Sequence, residues 1–70
     1  MEFVKVKYYR RRNVYIDGQK SGYTNKVLRV NRGTHRFELS PPPNYTPSFR
    51  SPFVKDTIAS QPMIIKFEPK

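Results

Sequence analysis

Hydrophobic and polar residues alternate along most of the chain. In the segment FVKVKYY the apolar side chains fall on one side of an extended strand, and Lys5 and Lys7 fall on the other. The same period of two recurs on the sides formed by Val4, Val6 and Tyr8; Val14 and Ile16; Leu28 and Val30; His35, Phe37 and Leu39; and Met63, Ile65 and Phe67. Alternation of this kind predicts half-buried β-strands. No window sustains a helical stripe, and seven prolines interrupt most helical candidates.

The dipeptide Asp17-Gly18 predicts a β-hairpin. It stands between two alternating segments, and a type I′ turn needs a positive φ at both of its central positions. We also predict that the returning strand bends, bulges or is closely approached by another backbone at Gly22, because glycine inside a strand marks such places.

A second hairpin is predicted around Gly33. If residues 31–34 form a four-residue loop, the pairs are Val30 with His35, Arg29 with Arg36, and Leu28 with Phe37. That register keeps the apolar side chains together, as a half-buried hairpin requires. It also opposes two arginines, and an anion or a carboxylate between them would relieve their repulsion.

Several short strands with frequent turns predict an all-β fold, which we expect to be a small antiparallel β-sandwich of about six or seven short strands. The length predicts one domain spanning residues 1–70. A chain this short buries only about 60% of its unfolded surface. It has no cysteine, so neither a disulfide nor a thiolate metal site supports the core.

The net charge of +9 is concentrated in the first half of the chain. Residues 1–36 hold ten Lys and Arg residues and two acids, whereas residues 37–70 hold four and three. Such a balance favours acidic partners. No apolar run exceeds three residues, so we predict no transmembrane segment. The alternating N-terminus is not a signal peptide, so we expect either a cytoplasmic chain or a domain of a longer surface protein.

The basic residues are the candidate binding surface for an anion or an acidic partner. The candidates are Lys5, Lys7, Arg10, Arg11, Arg12, Lys26, Arg29, Arg32 and Arg36. In the segment KYYRRR two aromatic residues precede three arginines, so Tyr8, Tyr9 or Tyr15 could stack on bases while the arginines follow phosphates. The alternative is a solvated strand face whose charges protect an edge from aggregation.

The single histidine, His35, alternates with Phe37 and Leu39, so we predict a hydrogen-bonded structural side chain on the core side. A general base would need an oriented partner and a nucleophile, and the spacing brings neither Asp17 nor Ser21 to it. One histidine, no cysteine and five scattered acids do not form a metal site. We therefore expect no catalytic residue, no metal and no cofactor.

The proline-rich segment PPPNY has two interpretations. Pro42-Pro43-Asn44-Tyr45 fits the pattern Pro-Pro-x-Tyr, which WW domains bind as a polyproline II ligand. Proline also terminates a strand edge and stiffens a loop, and we favour this second interpretation.

The segment VYIDGQKSGYTNKVLRVNRGTHRFEL resembles a PEGA domain. That family typically has an apolar strand ending in Asp-Gly, a Gly about four residues later, a Thr, an apolar strand, then Gly-x-His and an alternating strand. The matching residues are Val14, Ile16, Asp17, Gly18, Gly22, Thr24, Leu28, Gly33, His35, Phe37 and Leu39. The match covers residues 13–39 and extends loosely to 67. The chain departs from the pattern at Asn25, where the family usually has Pro, and in the loop SPPPN.

The resemblance implies a small β-sandwich, usually a module appended to surface or envelope-associated proteins, and it implies no catalytic residues. We therefore predict a non-catalytic binding or structural module that attaches a host protein to a protein partner or another acidic surface. The structural turn residues would be Asp17, Gly18, Gly22 and Gly33. The alternative is a small nucleic-acid-binding β-domain that uses the basic half of the chain.

Overall fold

The computed structural model describes residues 1–70 as strands, turns and loops without a helix. The strands are β1 (Glu2–Lys7), β2 (Asn13–Ile16), β3 (Gln19–Tyr23), β4 (Val27–Val30), β5 (Gly33–Thr34), β6 (Phe37–Leu39), β7 (Tyr45–Thr46), β8 (Phe53–Val54), β9 (Met63–Lys66) and β10 (Glu68–Pro69). The predicted all-β fold is confirmed. No helix is present that is long and apolar enough to cross a membrane.

Two three-stranded sheets enclose the core. The first sheet has the order β4-β1-β9 and the second has the order β3-β2-β6, with short ribbons β5-β8 and β7-β10 completing the structure. The alternating apolar residues of both sheets, together with residues from the ribbons, form one buried cluster. Its members are Val4, Val6, Tyr8, Val14, Ile16, Val30, Phe37, Leu39, Tyr45, Val54, Ile65 and Phe67. The core therefore lies between the two central strands, β1 and β2.

One strand pair differs from the predicted antiparallel arrangement. Strand β9 runs parallel to β1, with Val4 beside Met63 and Val6 beside Ile65. The pattern of apolar residues does not encode this direction, because a parallel and an antiparallel neighbour bury the same side of a strand. The four two-residue strands also raise the count to ten, whereas six strands have three or more residues.

The hairpin at Asp17-Gly18 is confirmed. Strands β2 and β3 pair across this two-residue turn, whose residues have φ values of 54° and 84°. The register shifts between Val14 and Tyr15, so β3 contains a bulge. At Gly22, beside this bulge, a Cβ atom would lie 2.5 Å from Leu28 Cδ2 on β4. A larger residue at this position would therefore require the Leu28 side chain of the first sheet to move.

The second predicted hairpin is wrong. Strand β4 pairs with β1, so Arg29 lies opposite Phe3, and β6 pairs with β2, so Phe37 lies opposite Ile16. The chain between them crosses from the first sheet to the second, and Gly33 lies in β5, which pairs with β8, not in a hairpin loop. The apolar pattern fits both arrangements because each buries the same residues. Arg29 and Arg36 consequently do not oppose one another.

Replacing Gly18 by valine should destabilise the fold by about 1 kcal/mol or more, because a β-branched side chain resists positive φ. No atom lies within 4 Å of the position that a Cβ would take, so the loss would report on backbone conformation and not on a steric clash. Thermal denaturation measures it. Gly18→Asn is the matched control, since asparagine tolerates positive φ, and an unchanged melting temperature for Gly18→Val would contradict the turn.

Candidate functional site

The three consecutive arginines lie where the chain passes from the first sheet to the second. Residues 8–12, the arginine loop, join β1 to β2, and residues 24–26 carry the chain back from β3 to β4. The two crossings lie side by side and are joined by hydrogen bonds between their residues. The position of the arginines therefore depends on the hydrogen bonds between these two connections.

Thr24 holds the second half of the arginine loop. Its hydroxyl donates to the carbonyl of Arg10 at 2.8 Å and accepts from the backbone N–H of Arg12 at 2.9 Å. Its own backbone N–H donates to the carbonyl of Arg12 at 2.9 Å. Thr24 is only 2% exposed and is the single buried polar residue of the chain. Because a buried polar group is costly when it lacks a partner, these bonds fix the loop firmly.

Asn25 holds the first half of the loop. Its side chain donates from Nδ2 to the carbonyl of Tyr8 at 3.0 Å and accepts the N–H of Tyr8 at 3.3 Å. Its backbone N–H donates to the carbonyl of Val6 at 2.7 Å. The residue has a φ of 64°, which asparagine tolerates and which the proline ring forbids. The departure from the PEGA pattern at this position thus has a structural role.

Arg12 faces the proline-rich loop of residues 40–44 instead of solvent. Its guanidinium donates to the carbonyls of Ser40 and Pro42 and to Oδ1 of Asn44. The guanidinium carbon also lies 5.1 Å from the ring centre of Tyr45. Sequence reasoning placed Arg12 on the binding surface, whereas the structure uses its donors to hold this loop.

Tyr45 closes the same loop from the other end. Its hydroxyl donates to the carbonyl of Leu39 at 2.9 Å and accepts the Leu39 N–H at 3.2 Å. The ring is 8% exposed and packs edge-on against Phe67. A WW domain needs the tyrosine of its Pro-Pro-x-Tyr ligand to be accessible, so the folded chain does not present that motif. The loop interpretation of the prolines fits the structure.

Arg10 and Arg11 are stacked on tyrosine rings and form no ion pair. The guanidinium carbon of Arg10 lies 4.7 Å from the ring centre of Tyr9, and that of Arg11 lies 4.2 Å from the ring centre of Tyr23. Neither side chain donates a hydrogen bond to another residue of the chain, and no carboxylate lies within salt-bridge distance of either. Because no residue of the chain accepts a hydrogen bond from either guanidinium, the N–H groups of both remain available to an anion.

An open groove of about 490 Å³ is lined by residues of the arginine loop and of residues 40–44. We call it the arginine groove. It is lined by Tyr9, Arg10, Arg11, Arg12, Asn13, Tyr23, Ser40, Pro41, Pro42 and Asn44. The lining contains three arginines and no acid, so its electrostatic potential is positive. A smaller cavity of about 230 Å³ lies beside it and includes Glu68, whose carboxylate is 3.7 Å from Lys66 Nζ.

The other predicted basic residues lie elsewhere. Lys5, Lys7 and Arg29 alternate with buried residues and face outward from the first sheet. Lys26 lies in the connection from β3 to β4, and Arg32 lies in the crossing from β4 to β5. These five residues do not line the arginine groove.

Arg36 lies at the opposite end of the second sheet from the arginine loop. Its backbone N–H donates to Oδ1 of Asp17 at 2.9 Å, in the turn at the far end of β2. Its guanidinium stacks on Phe49 at 4.1 Å and lies 3.4 Å from the carboxylate of Glu38. The predicted basic residues therefore belong to separate regions, and Arg36 is not part of the groove.

His35 is hydrogen-bonded on both ring nitrogens, in keeping with the structural role predicted for it. Nδ1 lies 2.6 Å from Oδ2 of Asp17, and Nε2 lies 2.7 Å from the carbonyl of Asn31. The sequence did not predict the contact between His35 and Asp17, which are 18 residues apart. The fold creates it by placing the segment after β4 against the turn between β2 and β3. The side chain is 16% exposed, so it lies at the edge of the core beside buried Phe37.

Both ring nitrogens of His35 face acceptor atoms, and only the doubly protonated imidazolium donates to both. The hydrogen bond with Asp17 raises the pKa of His35 above its ordinary value. The N–H of Arg36 and the bond with His35 lower the pKa of Asp17. No cluster of three or more His, Asp or Glu side chains that could hold a metal ion is present.

Comparisons of the chain with protein-family models, with curated proteins and with solved structures found no match. The resemblance to PEGA domains remains a prediction.

Replacing Asp17 by asparagine should lower stability most in mildly acidic solution. The asparagine keeps the turn and the bond from Arg36 but loses the charge that His35 pairs with, and a partly exposed ion pair contributes about 1 kcal/mol or less. The contribution is fully present above the ordinary Asp pKa of 3.8 and below the ordinary His pKa of 6.5. It is lost as the pH falls through the lowered pKa of Asp17 or rises through the raised pKa of His35.

Thermal denaturation of both proteins at about pH 5 and about pH 9 checks this prediction. The difference in melting temperature should be larger at the lower pH. An equal difference at both values would contradict the ion pair.

Proposed function

We propose that the chain is a non-catalytic binding module that attaches to an acidic protein segment through the arginine groove. The observation that carries the proposal is that the guanidiniums of Arg10 and Arg11 have no acidic partner within the chain. Both guanidiniums are held on tyrosine rings, neither is neutralised by an acid of this chain, and both line a groove without a carboxylate. Such an arrangement leaves two fixed cations for which an external anion is the missing partner.

The chemistry of the groove suits the carboxylates of a peptide. A guanidinium presents two parallel N–H groups that match the two oxygens of Asp or Glu. Stacking on Tyr9 and Tyr23 reduces the side-chain entropy that each arginine would otherwise lose on binding. The prolines of the loop at 40–44 and the tyrosine rings offer apolar surface for the stems of the same peptide.

A non-catalytic role is supported by the hydrogen bonds of His35, the one histidine of the chain. A general base needs a ring nitrogen that can accept a proton from the substrate. Both nitrogens of His35 are occupied, by Asp17 and by the carbonyl of Asn31. We also propose that the chain is PEGA-like, on the residues given above. The hairpin at Asp17-Gly18 supports this proposal.

Single-stranded nucleic acid is the second candidate ligand, because Tyr9 is 61% exposed beside Arg10 and Arg11. Base stacking would need free aromatic faces. Arg10 covers a face of Tyr9, Arg11 and Lys20 lie over Tyr23, and Tyr8 is buried. These contacts favour the carboxylate ligand over the nucleic acid.

Titration of a fluorescent deca-glutamate peptide into the full chain tests the proposal. We expect saturable binding that weakens as salt rises towards about 150 mM, since the contacts are charge-assisted and partly exposed. Replacing both Arg10 and Arg11 by glutamine should abolish it. The double replacement should leave the melting temperature nearly unchanged, because neither side chain bonds to the rest of the fold.

Arg36→Gln is the matched control. Arg36 also stacks on an aromatic ring, yet it lies at the far end of the second sheet. If Arg36→Gln weakens binding as much as a replacement at Arg10 or Arg11, the attraction comes from net charge alone and the proposal is wrong. If an oligothymidylate of equal length binds more tightly than the peptide, with a logarithmic salt slope of about −0.7 per phosphate engaged, the nucleic-acid candidate replaces it.

A further inference from the structure

The outward side of the first sheet is the second unusual surface of the molecule. Alternation directs Val4, Val6 and Ile65 inward and leaves seven side chains of β1, β4 and β9 on the outside. We call this side the outer face. It consists of Phe3, Lys5, Lys7, Val27, Arg29, Ile64 and Lys66. Four of these residues are basic, three are apolar and none is acidic.

Apolar side chains occupy the middle of the outer face. In the register of the sheet, Lys5 stands between Val27 on one neighbouring strand and Ile64 on the other. Val27 is 45% exposed and Ile64 is 50% exposed. Neighbouring strands are only about 4.8 Å apart, so the two aliphatic side chains and the lysine stem form a continuous row.

This composition differs from that of an ordinary solvated sheet. The solvated side of a sheet is usually polar, and contiguous exposed apolar patches rimmed by polar residues are typical of sites that bind proteins or membranes. No carboxylate forms a salt bridge with Lys5, Lys7 or Arg29. Glu2 is turned to Thr57, whose N–H and hydroxyl it accepts, and Glu68 pairs with Lys66 at the end of the face.

We propose that the outer face binds the surface of an anionic lipid bilayer. The aliphatic row enters the boundary between headgroups and acyl chains. Lys5, Lys7 and Arg29 contact anionic headgroups, since long basic side chains extend their charge beyond apolar neighbours. Anionic leaflets attract such clusters of Lys and Arg. The apolar side chains distinguish this ligand from nucleic acid, which offers no comparable apolar layer.

The proposal goes beyond the arginine groove and does not depend on it. The groove lies between the two crossings and the loop at 40–44, and none of its lining residues belongs to the outer face. A module with both surfaces would hold an acidic protein segment at a membrane.

Co-sedimentation of the full chain with vesicles tests the proposal. Vesicles of phosphatidylcholine containing phosphatidylserine should bind the chain, and vesicles of phosphatidylcholine alone should not. Lys5→Glu should weaken binding by about tenfold or more, because it places an acid at the centre of the basic face. Ile64→Ser should also weaken it and should increase its sensitivity to salt, because the apolar contribution is lost.

Lys20→Glu is the matched control, since it changes the net charge by the same amount on an exposed strand of the other sheet. The double glutamine variant of Arg10 and Arg11 should still bind vesicles, which separates this proposal from the preceding one. Melting temperatures establish that each variant is folded, and Lys5→Gln provides a milder replacement. Equal losses in Lys5→Glu and Lys20→Glu, or no binding to phosphatidylserine vesicles, would overturn the proposal. So would a Lys5-dependent affinity for oligothymidylate without vesicle binding.

Discussion

Hydrogen bonds between the two crossings at one end of the molecule hold its two sheets in place. Strand β1 leads into the second sheet through the arginine loop, and β3 leads back into the first sheet through Thr24 and Asn25. Each of these two residues bonds to the backbone of the arginine loop through its side chain, and each also donates its own N–H to the first crossing or to β1. In a chain of 70 residues with a small core, such polar contacts add to apolar packing in holding the sheets together.

The proposed binding surface depends on the same contacts. Because Thr24 fixes the backbone on both sides of Arg11, the arginine side chains project in set directions. Arg12 is directed to the loop at 40–44 and lines the groove there. Arg10 and Arg11 also line the groove and lie over tyrosine rings. Arg12 therefore serves the fold, whereas Arg10 and Arg11 have no polar partner within the chain and would contact the proposed ligand. Contact with the tyrosine rings would order these cations before binding and so lower the entropic cost of binding the proposed peptide.

The sequence predicted the local features of the fold well and its long-range features poorly. Period-two alternation identified ten of the twelve core residues and missed Tyr45 and Val54, which lie in two-residue strands too short to alternate. Asp17-Gly18 identified its hairpin, because that signal depends on neighbouring positions. The sequence could not predict the pairing of β4 with β1 or the parallel direction of β9. Each alternative strand arrangement buries the same side chains. For the candidate site, the concentration of positive charge in the sequence pointed to the arginines. Their separation into structural and free groups required the positions of Thr24, Asn25 and the proline-rich loop, which lie up to 32 residues away from Arg12.

Amide hydrogen exchange at Arg12 tests most directly whether Thr24 holds the arginine loop, because the N–H of Arg12 donates to the buried hydroxyl of Thr24. We expect its exchange to be as slow as that of the core amides, although it lies in a connecting loop between basic residues. Thr24→Val removes the hydroxyl and should accelerate exchange at Arg12, while Thr24→Ser should preserve protection. Fast exchange at Arg12 in the unaltered chain, or equal protection in Thr24→Val and Thr24→Ser, would contradict the claim that Thr24 holds the arginine loop.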